Sequence, residues 1–223
     1  MKTIKGIWRF SRVICYTFVC LFQAYTRFKR VDRKEKGRML RYYPTQVLKL
    51  AGVRCSYEGN VPELLHECGL TDTPPAYMVL SNHISWLDIF SLDSQLPSRF
   101  IAKAEIAKWP VFGLIAQQIG TLFINRSSKR AILRINDDIR GALCNCEAVT
   151  IFAEGTTTFG NELLPIKANF IAPACEIGAT VQPVILSYKN KGNPTKRAAF
   201  AGDVTLFGSL WNVVTMEDAE VVV

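Results

Sequence analysis

The reading of the fold turns on residues 76–88, AYMVLSNHISWLD, in which the apolar run Ala76-Tyr77-Met78-Val79-Leu80 leads into Asn82-His83-Ile84-Ser85-Trp86-Leu87-Asp88. The run has the length and composition of a strand. From Trp86 to Leu96 the apolar residues recur at helical spacing instead. A histidine at the mouth of a strand-to-helix turn, with an aspartate five residues on, suits a catalytic base and its orienter. Within one helix a five-residue step would set the two side chains about 140° apart. They meet only if His83 lies in the turn and Asp88 reaches back from the helix. There Asp88 would fix the imidazole tautomer and stabilise the cation formed when the ring takes a proton. The same residues also read as a helix cap, with Ser85 and Asp88 three apart, Asn82 a second candidate cap, and His83 an ordinary loop residue.

Strand and helix patterns alternate on both sides of this stretch. Strands are expected at Val53–Glu58, 76–80, Arg99–Lys103, Thr121–Asn125, Val149–Ala153, Val181–Tyr188 and Ala219–Val223. Helices are expected at 86–96, 109–118, 129–146, near 168–177 and near 204–214. The 129–146 helix carries Ile132, Ile135, Ile139, Ala142 and Cys146 on one face, and Pro110 stands in the favoured first turn of the 109–118 helix. A Pro-bearing linker up to Pro75 includes His66, for which only a structural or surface role is expected. Such alternation predicts an α/β fold with a largely parallel central sheet flanked by helices. The division expected is an N-terminal helical segment at 1–51 and an α/β domain at 52–223. The chain ends inside a strand-like run, which suggests truncation at the C-terminus.

The net charge of +8 over 223 residues is unevenly placed. Residues 1–50 hold 13 Lys and Arg against 2 Asp and Glu, whereas the remainder is slightly acidic. Wound as a helix, residues 2–30 gather Lys2, Lys5, Arg9, Arg12, Tyr16, Gln23, Arg27 and Arg30 within an arc of roughly 80°. The rest of the circumference carries Ile4, Ile7, Trp8, Phe10, Phe18, Phe22 and their like. A narrow cationic stripe on an apolar, aromatic helix fits the plane of an anionic membrane surface. Spanning is the alternative, but the charge-free stretch from Val13 to Thr26 is shorter than the roughly 17–25 residues a bilayer core demands. A soluble packing helix is the third reading. Residues 31–51 continue as a basic helix, broken or kinked near Pro44. Arg33, Lys34, Lys36, Arg38 and Arg41 extend the attraction to acidic lipid, so residues 2–41 are the expected membrane contact and nucleic acid is not an expected partner. Seven scattered cysteines without a Cys-x-x-Cys pair, and only two histidines, argue against a zinc site and a disulfide framework. They point to a reducing compartment.

Three further loops follow the carboxyl ends of expected strands, where ligands gather in open α/β sheets. They are Phe123-Ile124-Asn125-Arg126, Phe152-Ala153-Glu154-Gly155-Thr156-Thr157 and Val181-Gln182-Pro183-Val184. The Gly allows close backbone approach to a ligand, the Thr hydroxyls supply donors, and Pro183 inside an apolar strand suggests an edge or the wall of a cleft.

In order and spacing these blocks resemble the glycerophospholipid acyltransferase family, over roughly residues 50–223. That family carries Asn-His-x-x-x-x-Asp, Phe-x-x-Arg, Phe-Pro-Glu-Gly-Thr-Arg and Val-x-Pro-Val. The segments Lys103–Pro110 and Pro165-Ile166-Lys167 are similar to it as well. Ala153 stands in place of Pro, and Thr157 in place of the Arg associated with the acceptor's phosphate. Thr cannot offer a cationic fork, so the acceptor stays open between 1-acyl-sn-glycerol-3-phosphate, lyso-ornithine lipid and other lyso-lipids.

The resemblance implies acyl transfer from a coenzyme A or acyl carrier protein thioester to a lyso-lipid hydroxyl, with His83 and Asp88 catalytic and no cofactor or metal. Asn82, Lys103, Asn125, Arg126, Glu154, Gly155, Thr156, Thr157, Lys167 and Pro183 would bind substrate, with Thr156 or nearby backbone N–H groups facing the oxyanion. The implied location is the cytoplasmic face of a membrane, such as a bacterial inner membrane. No Gly-x-Ser-x-Gly elbow is present to form an acyl-enzyme. Two rival readings are a non-catalytic lipid-binding protein on the same fold and a lipid hydrolase sharing the His/Asp pair.

Overall fold

The computed structural model describes residues 2–59, 76–125 and 129–223, so His66 and Arg126 lie outside the described residues. After β1 (Val53–Ser56), the chain enters the main sheet with β2 (Tyr77–Ser81), β3 (Arg99–Lys103), β4 (Leu122–Ile124), β5 (Val149–Phe152) and β6 (Thr180–Val184). These five strands pair in the order β4-β3-β5-β2-β6, and every pairing is parallel. All the carboxyl ends therefore open at one edge, where Ser81 sits level with Phe152 and Val184. Tyr77, Met78 and Val79 are fully buried. A near-continuous apolar run is what a strand needs when both its faces are covered.

Helices cover those faces: α1 (Lys2–Gln23), α2 (Arg33–Ala51), α3 (Leu87–Asp93), α4 (Phe112–Ile119), α5 (Lys129–Cys144), α6 (Ala172–Glu176) and α7 (Leu206–Val214). On α5 the expected face is the one buried, through Ile135, Ile139 and Ala142, joined by Leu143. This helix stops at Cys144, and Cys146 takes a positive φ of 55° in the turn beyond it. Pro110 does not open α4. The Phe112 N–H instead closes a tight turn on the Pro110 carbonyl at 2.7 Å. Val111 is left at φ 64°, ψ −63°, a conformation rare and strained for a β-branched residue.

The stretch Val181–Tyr188, expected as one strand, is two. After β6 the chain crosses to a second sheet, in which β7 (Ser187–Asn190), β8 (Asn193–Pro194) and β9 (Ala219–Val222) join β1 in the order β1-β9-β7-β8. The break has a local cause. The Asn82 amide donates to the Leu186 carbonyl at 3.0 Å and accepts from the Leu186 N–H at 2.7 Å. Both main-chain groups that would extend the ladder are thus taken, so strand pairing ends at Val184 and resumes at Ser187 in the other sheet. Pro183 lies on an edge strand whose one partner is β2, where a missing N–H costs no ladder bond.

The N-terminal segment is a helical hairpin. Helix α1 runs into a π-helical turn at Ala24–Phe28, and the chain reverses before Asp32, whose side chain caps α2 by accepting the Glu35 N–H at 2.8 Å. The break therefore falls near Asp32 and not at Pro44, which is buried within an α2 that continues through it.

The hairpin is fastened to the α/β body. The Arg9 guanidinium donates to the carbonyls of Val214 (3.2 Å) and Met216 (2.9 Å), at the carboxyl end of α7. Phe10 packs beside it against Phe207 and Trp211, with ring centroids 6.5 and 6.1 Å away. Gly52 lies under the guanidinium at φ 76°, where a Cβ would come within 2.2 Å of Arg9 Cζ. Two members of the expected cationic stripe are consequently engaged within the protein: Arg9 as described, and Arg27, which pairs with Glu35 at 2.6 Å. The outward face of α1 is mostly apolar, with Ile4, Trp8, Phe18 and Phe22 exposed. Replacing Arg9 by Ala should lower unfolding free energy by about 2 kcal/mol, the scale of charged hydrogen bonds lost together, measured by denaturant titration against wild type.

Candidate active site

His83 sits in the turn after β2, one residue beyond the Asn82 clamp, and Asp88 lies in the first turn of α3. The aspartate reaches back as its spacing required: His83 Nδ1 and Asp88 Oδ2 are 2.8 Å apart. The same oxygen accepts the N–H groups of Ile84 (2.7 Å) and Ser85 (2.9 Å). The capping and catalytic readings thus describe one arrangement. The other oxygen, Oδ1, accepts the Tyr188 hydroxyl at 2.5 Å. Asp88 is 0% exposed and His83 19% exposed.

Four donors converge on a carboxylate without contact to water, which is how a buried charge is made tolerable. With Oδ2 already receiving two backbone N–H groups, Nδ1 carries the shared proton and donates it. Nε2 is left with its lone pair. The ring is held flat on Phe152, with centroids 3.8 Å apart and planes within 9°. Tyr188 is fully buried, and burial followed by the adjacent Asp88 pushes its hydroxyl well above the usual tyrosine range, so it remains a donor.

The Glu154 loop is tied to this turn by its own polar groups. Glu154 Oε1 accepts the His83 N–H at 2.8 Å and Oε2 accepts the Leu164 N–H at 3.0 Å. Glu154 is buried, and both oxygens are occupied, so its geometry is that of a brace between two loops. Asn82 is engaged in the same way with Leu186. Gly155 follows at φ 74°, a conformation that favours glycine. The Thr157 hydroxyl donates to the Phe200 carbonyl at 2.5 Å, and the Thr158 N–H donates to the His83 carbonyl at 2.8 Å.

His83 opens onto a cavity of about 360 Å³. It is lined by Lys103, Gly155, Thr156, Thr157 and Phe200, by Phe90, Phe100 and Ile101, by Cys20, Met39, Tyr43 and Val47 of the helical hairpin, and by Trp109, Phe112 and Ile115. The walls are overwhelmingly apolar, and burial pushes the Cys20 thiol up to about 12, so it adds no charge.

Of the residues proposed from sequence, His83, Lys103, Gly155, Thr156 and Thr157 line this cavity, with Asp88 directly behind. Asn125 is exposed beyond β4, Lys167 is exposed with its N–H on the Ala153 carbonyl, and Pro183 is exposed on the sheet edge. These three are outside the lining. Sequence reasoning missed Tyr188, the Phe152 platform and the part the hairpin plays as a cavity wall. Tyr188 stands 100 residues from Asp88 in another sheet, and no local pattern connects them.

Comparison with known proteins bears on the family and the fold. A family model described as Acyltransferase matches residues 55–187, and the chain belongs to that family. The 1-acyl-sn-glycerol-3-phosphate acyltransferase of Neisseria gonorrhoeae is 43% identical over 145 residues, covering 65% of this chain and 56% of its own. Lyso-ornithine lipid O-acyltransferases of Pseudomonas aeruginosa (39% over 142 residues; 64% of this chain, 55% of theirs) and Rhizobium meliloti (32% over 197; 82% and 64%) are also similar. The chain spans little more than half the length of the first two of these relatives. The crystal structure of the 1-acyl-sn-glycerophosphate acyltransferase of Thermotoga maritima matches at a TM-score of 0.63 and 18% identity, over all of this chain and 85% of the other, a likeness of fold.

The Tyr188 hydroxyl is the donor on Asp88 that can be removed with least disturbance. Tyr188→Phe should keep the fold but lower unfolding free energy by about 2 kcal/mol, as expected for a lost hydrogen bond to a buried charge. Denaturant titration of the purified variant measures it.

Proposed function

We propose that this chain is an O-acyltransferase that moves a fatty acyl group from a thioester to the free hydroxyl of a lyso-lipid. The observation that carries this reading is the His83–Asp88 pair, with His83 lining a largely apolar cavity. Nε2 of His83 takes the acceptor hydroxyl's proton as that oxygen attacks the thioester carbonyl. Asp88 steadies the resulting imidazolium. The tetrahedral intermediate then collapses, the C–S bond breaks, and the thiolate leaves with the proton returned by His83. The exposed Thr156 hydroxyl, which lines the same cavity as His83, is a candidate donor to the developing oxyanion. The cavity houses an acyl chain, and Lys103 in its lining attracts an anionic head group. The donor is an acyl ester of coenzyme A or of acyl carrier protein.

For the acceptor, 1-acyl-sn-glycerol-3-phosphate and lyso-ornithine lipid are the two leading candidates, following the relatives' names. Thr157 favours taking the second seriously. Its side chain is committed to the Phe200 carbonyl and carries no charge for a phosphate.

The site works at a membrane surface. Among the described residues no helix is long and apolar enough to cross a membrane. Helix α1 instead turns Ile4, Trp8, Phe18 and Phe22 outward beside exposed Lys5 and Arg12, the pattern of a helix lying in the lipid interface. It also forms part of the cavity wall, so in this reading the acyl slot lies close to the lipid.

Purified protein offered a labelled acyl thioester and a panel of lyso-lipids should acylate one acceptor class. His83→Ala should reduce the rate by roughly 10²–10⁴-fold, the usual worth of a general base. Transfer that survives the substitution, or release of free fatty acid without an acceptor, would sink the assignment. For the surface contact, Trp8→Ser with Phe22→Ser should weaken cosedimentation with phosphatidylglycerol-containing vesicles by at least about tenfold, given the apolar area removed. Unchanged sedimentation would overturn it.

A further inference from the structure

Among the described residues lining the apolar cavity, Asp93 alone brings a carboxyl group. It stands at the carboxyl end of α3, on the side of the helix that Trp86, Ile89 and Phe90 also turn to the cavity. Two helical turns, about 10 Å, separate Asp93 from Trp86 beside the catalytic turn. The side chain is 2% exposed. Oδ1 accepts the Ser98 N–H at 3.1 Å, and the second carboxyl oxygen has no partner among the described residues. Burial pushes the carboxyl well above the usual carboxylate range, outweighing the opposing Ser98 bond, which favours the neutral form. A neutral carboxyl is donor and acceptor at once. Left unmatched against apolar walls, such a group costs free energy, and closing the turn to β3 uses only one of its two oxygens.

We propose that Asp93 is the recognition point for a hydroxyl group carried partway along an acyl chain, so that the cavity takes mid-chain hydroxylated acyl groups in preference to unsubstituted ones. A hydroxyl, like the carboxyl, both donates and accepts, and the pair satisfies each other inside walls that offer little else. The depth of Asp93 along α3 sets the position: a hydroxyl adjacent to the thioester carbonyl lies near His83 and does not reach it. The inference rests on the reading of the cavity as an acyl slot. It does not depend on which chain enters, that of the thioester or that of the lyso-lipid.

The direct test is calorimetric binding of free fatty acids of one length to the full chain: unsubstituted, hydroxylated next to the carboxyl, and hydroxylated at successive mid-chain positions. One mid-chain isomer should bind about tenfold more tightly than the unsubstituted acid, the worth of one added hydrogen bond. D93L should abolish that preference and bind the plain chain at least as tightly. D93N, whose amide keeps a donor and an acceptor, should retain it. Equal affinity for all isomers in wild type, or a preference that persists in D93L, overturns the proposal. Should D93L fail to fold, the isomer series with wild type and D93N decides alone, because a preference not confined to one depth is equally fatal. Turnover with a hydroxylated thioester and plain acceptor, then with the reverse pair, assigns the chain; a preference in neither overturns the placement in the acyl slot. Acyl transfer retained by H83A would defeat the general-base reading while leaving this binding preference standing.

Discussion

A carboxylate sealed from water must be given donors, and the Asp88 carboxylate receives four: His83 Nδ1, the Ile84 and Ser85 amides and the Tyr188 hydroxyl. Removing any one leaves a charge in a low-dielectric site with nothing to replace the lost bond, so the turn and β7, which supply them, are held in register with α3. The turn between β2 and α3 takes its shape from the two amides. The imidazole takes its tautomer from the same oxygen. The second sheet takes its distance from the first partly through Tyr188, which crosses from β7 to meet α3.

The neighbouring loops follow the same economy of polar groups. Asn82 satisfies both main-chain groups of Leu186 at the point where the chain leaves one sheet for the other, and Glu154 ties the His83 amide to that of Leu164. Each of these residues belongs to a block that carries the resemblance to acyltransferases. Yet each uses its side chain on protein backbone. The rigid frame they make presents His83 Nε2, the Thr156 hydroxyl and Lys103 to the cavity, on loops at the carboxyl ends of parallel strands, the usual place for a ligand in such sheets.

The helical hairpin serves two sides at once. Its inner face closes the cavity with Cys20, Met39, Tyr43 and Val47, and its outer face carries exposed Trp8, Phe18 and Phe22. Because Arg9 fixes α1 to the end of α7, the two faces cannot turn independently. In our proposal this coupling keeps the acyl slot beside the lipid from which a chain must be drawn. It also makes chain selection a property of the hairpin and of α3 together, with Asp93 as a carboxyl group on a mostly apolar wall.

By itself the sequence determined the α/β layering, a largely parallel sheet and the condition under which His83 and Asp88 could meet. All three rest on short-range regularities: apolar runs of strand length, helical spacing such as Ile135–Ile139–Ala142, and a five-residue step that permits contact only through a turn. It also left Pro183 on an edge or at a cleft wall, of which the edge is what the sheet shows. Tertiary structure decided the rest, because the cause was distant in the chain. Nothing local says that Asn82 will divide Val181–Tyr188 into strands of two sheets, that Tyr188 will complete the shell of Asp88, or that Arg9 will face α7 and not the outside. Glu154 was expected to bind substrate, and only the arrival of the His83 and Leu164 amides at its two oxygens made it a brace between loops. A side chain's chemistry can be read from its identity, but the partner that uses that chemistry is chosen when the chain closes on itself.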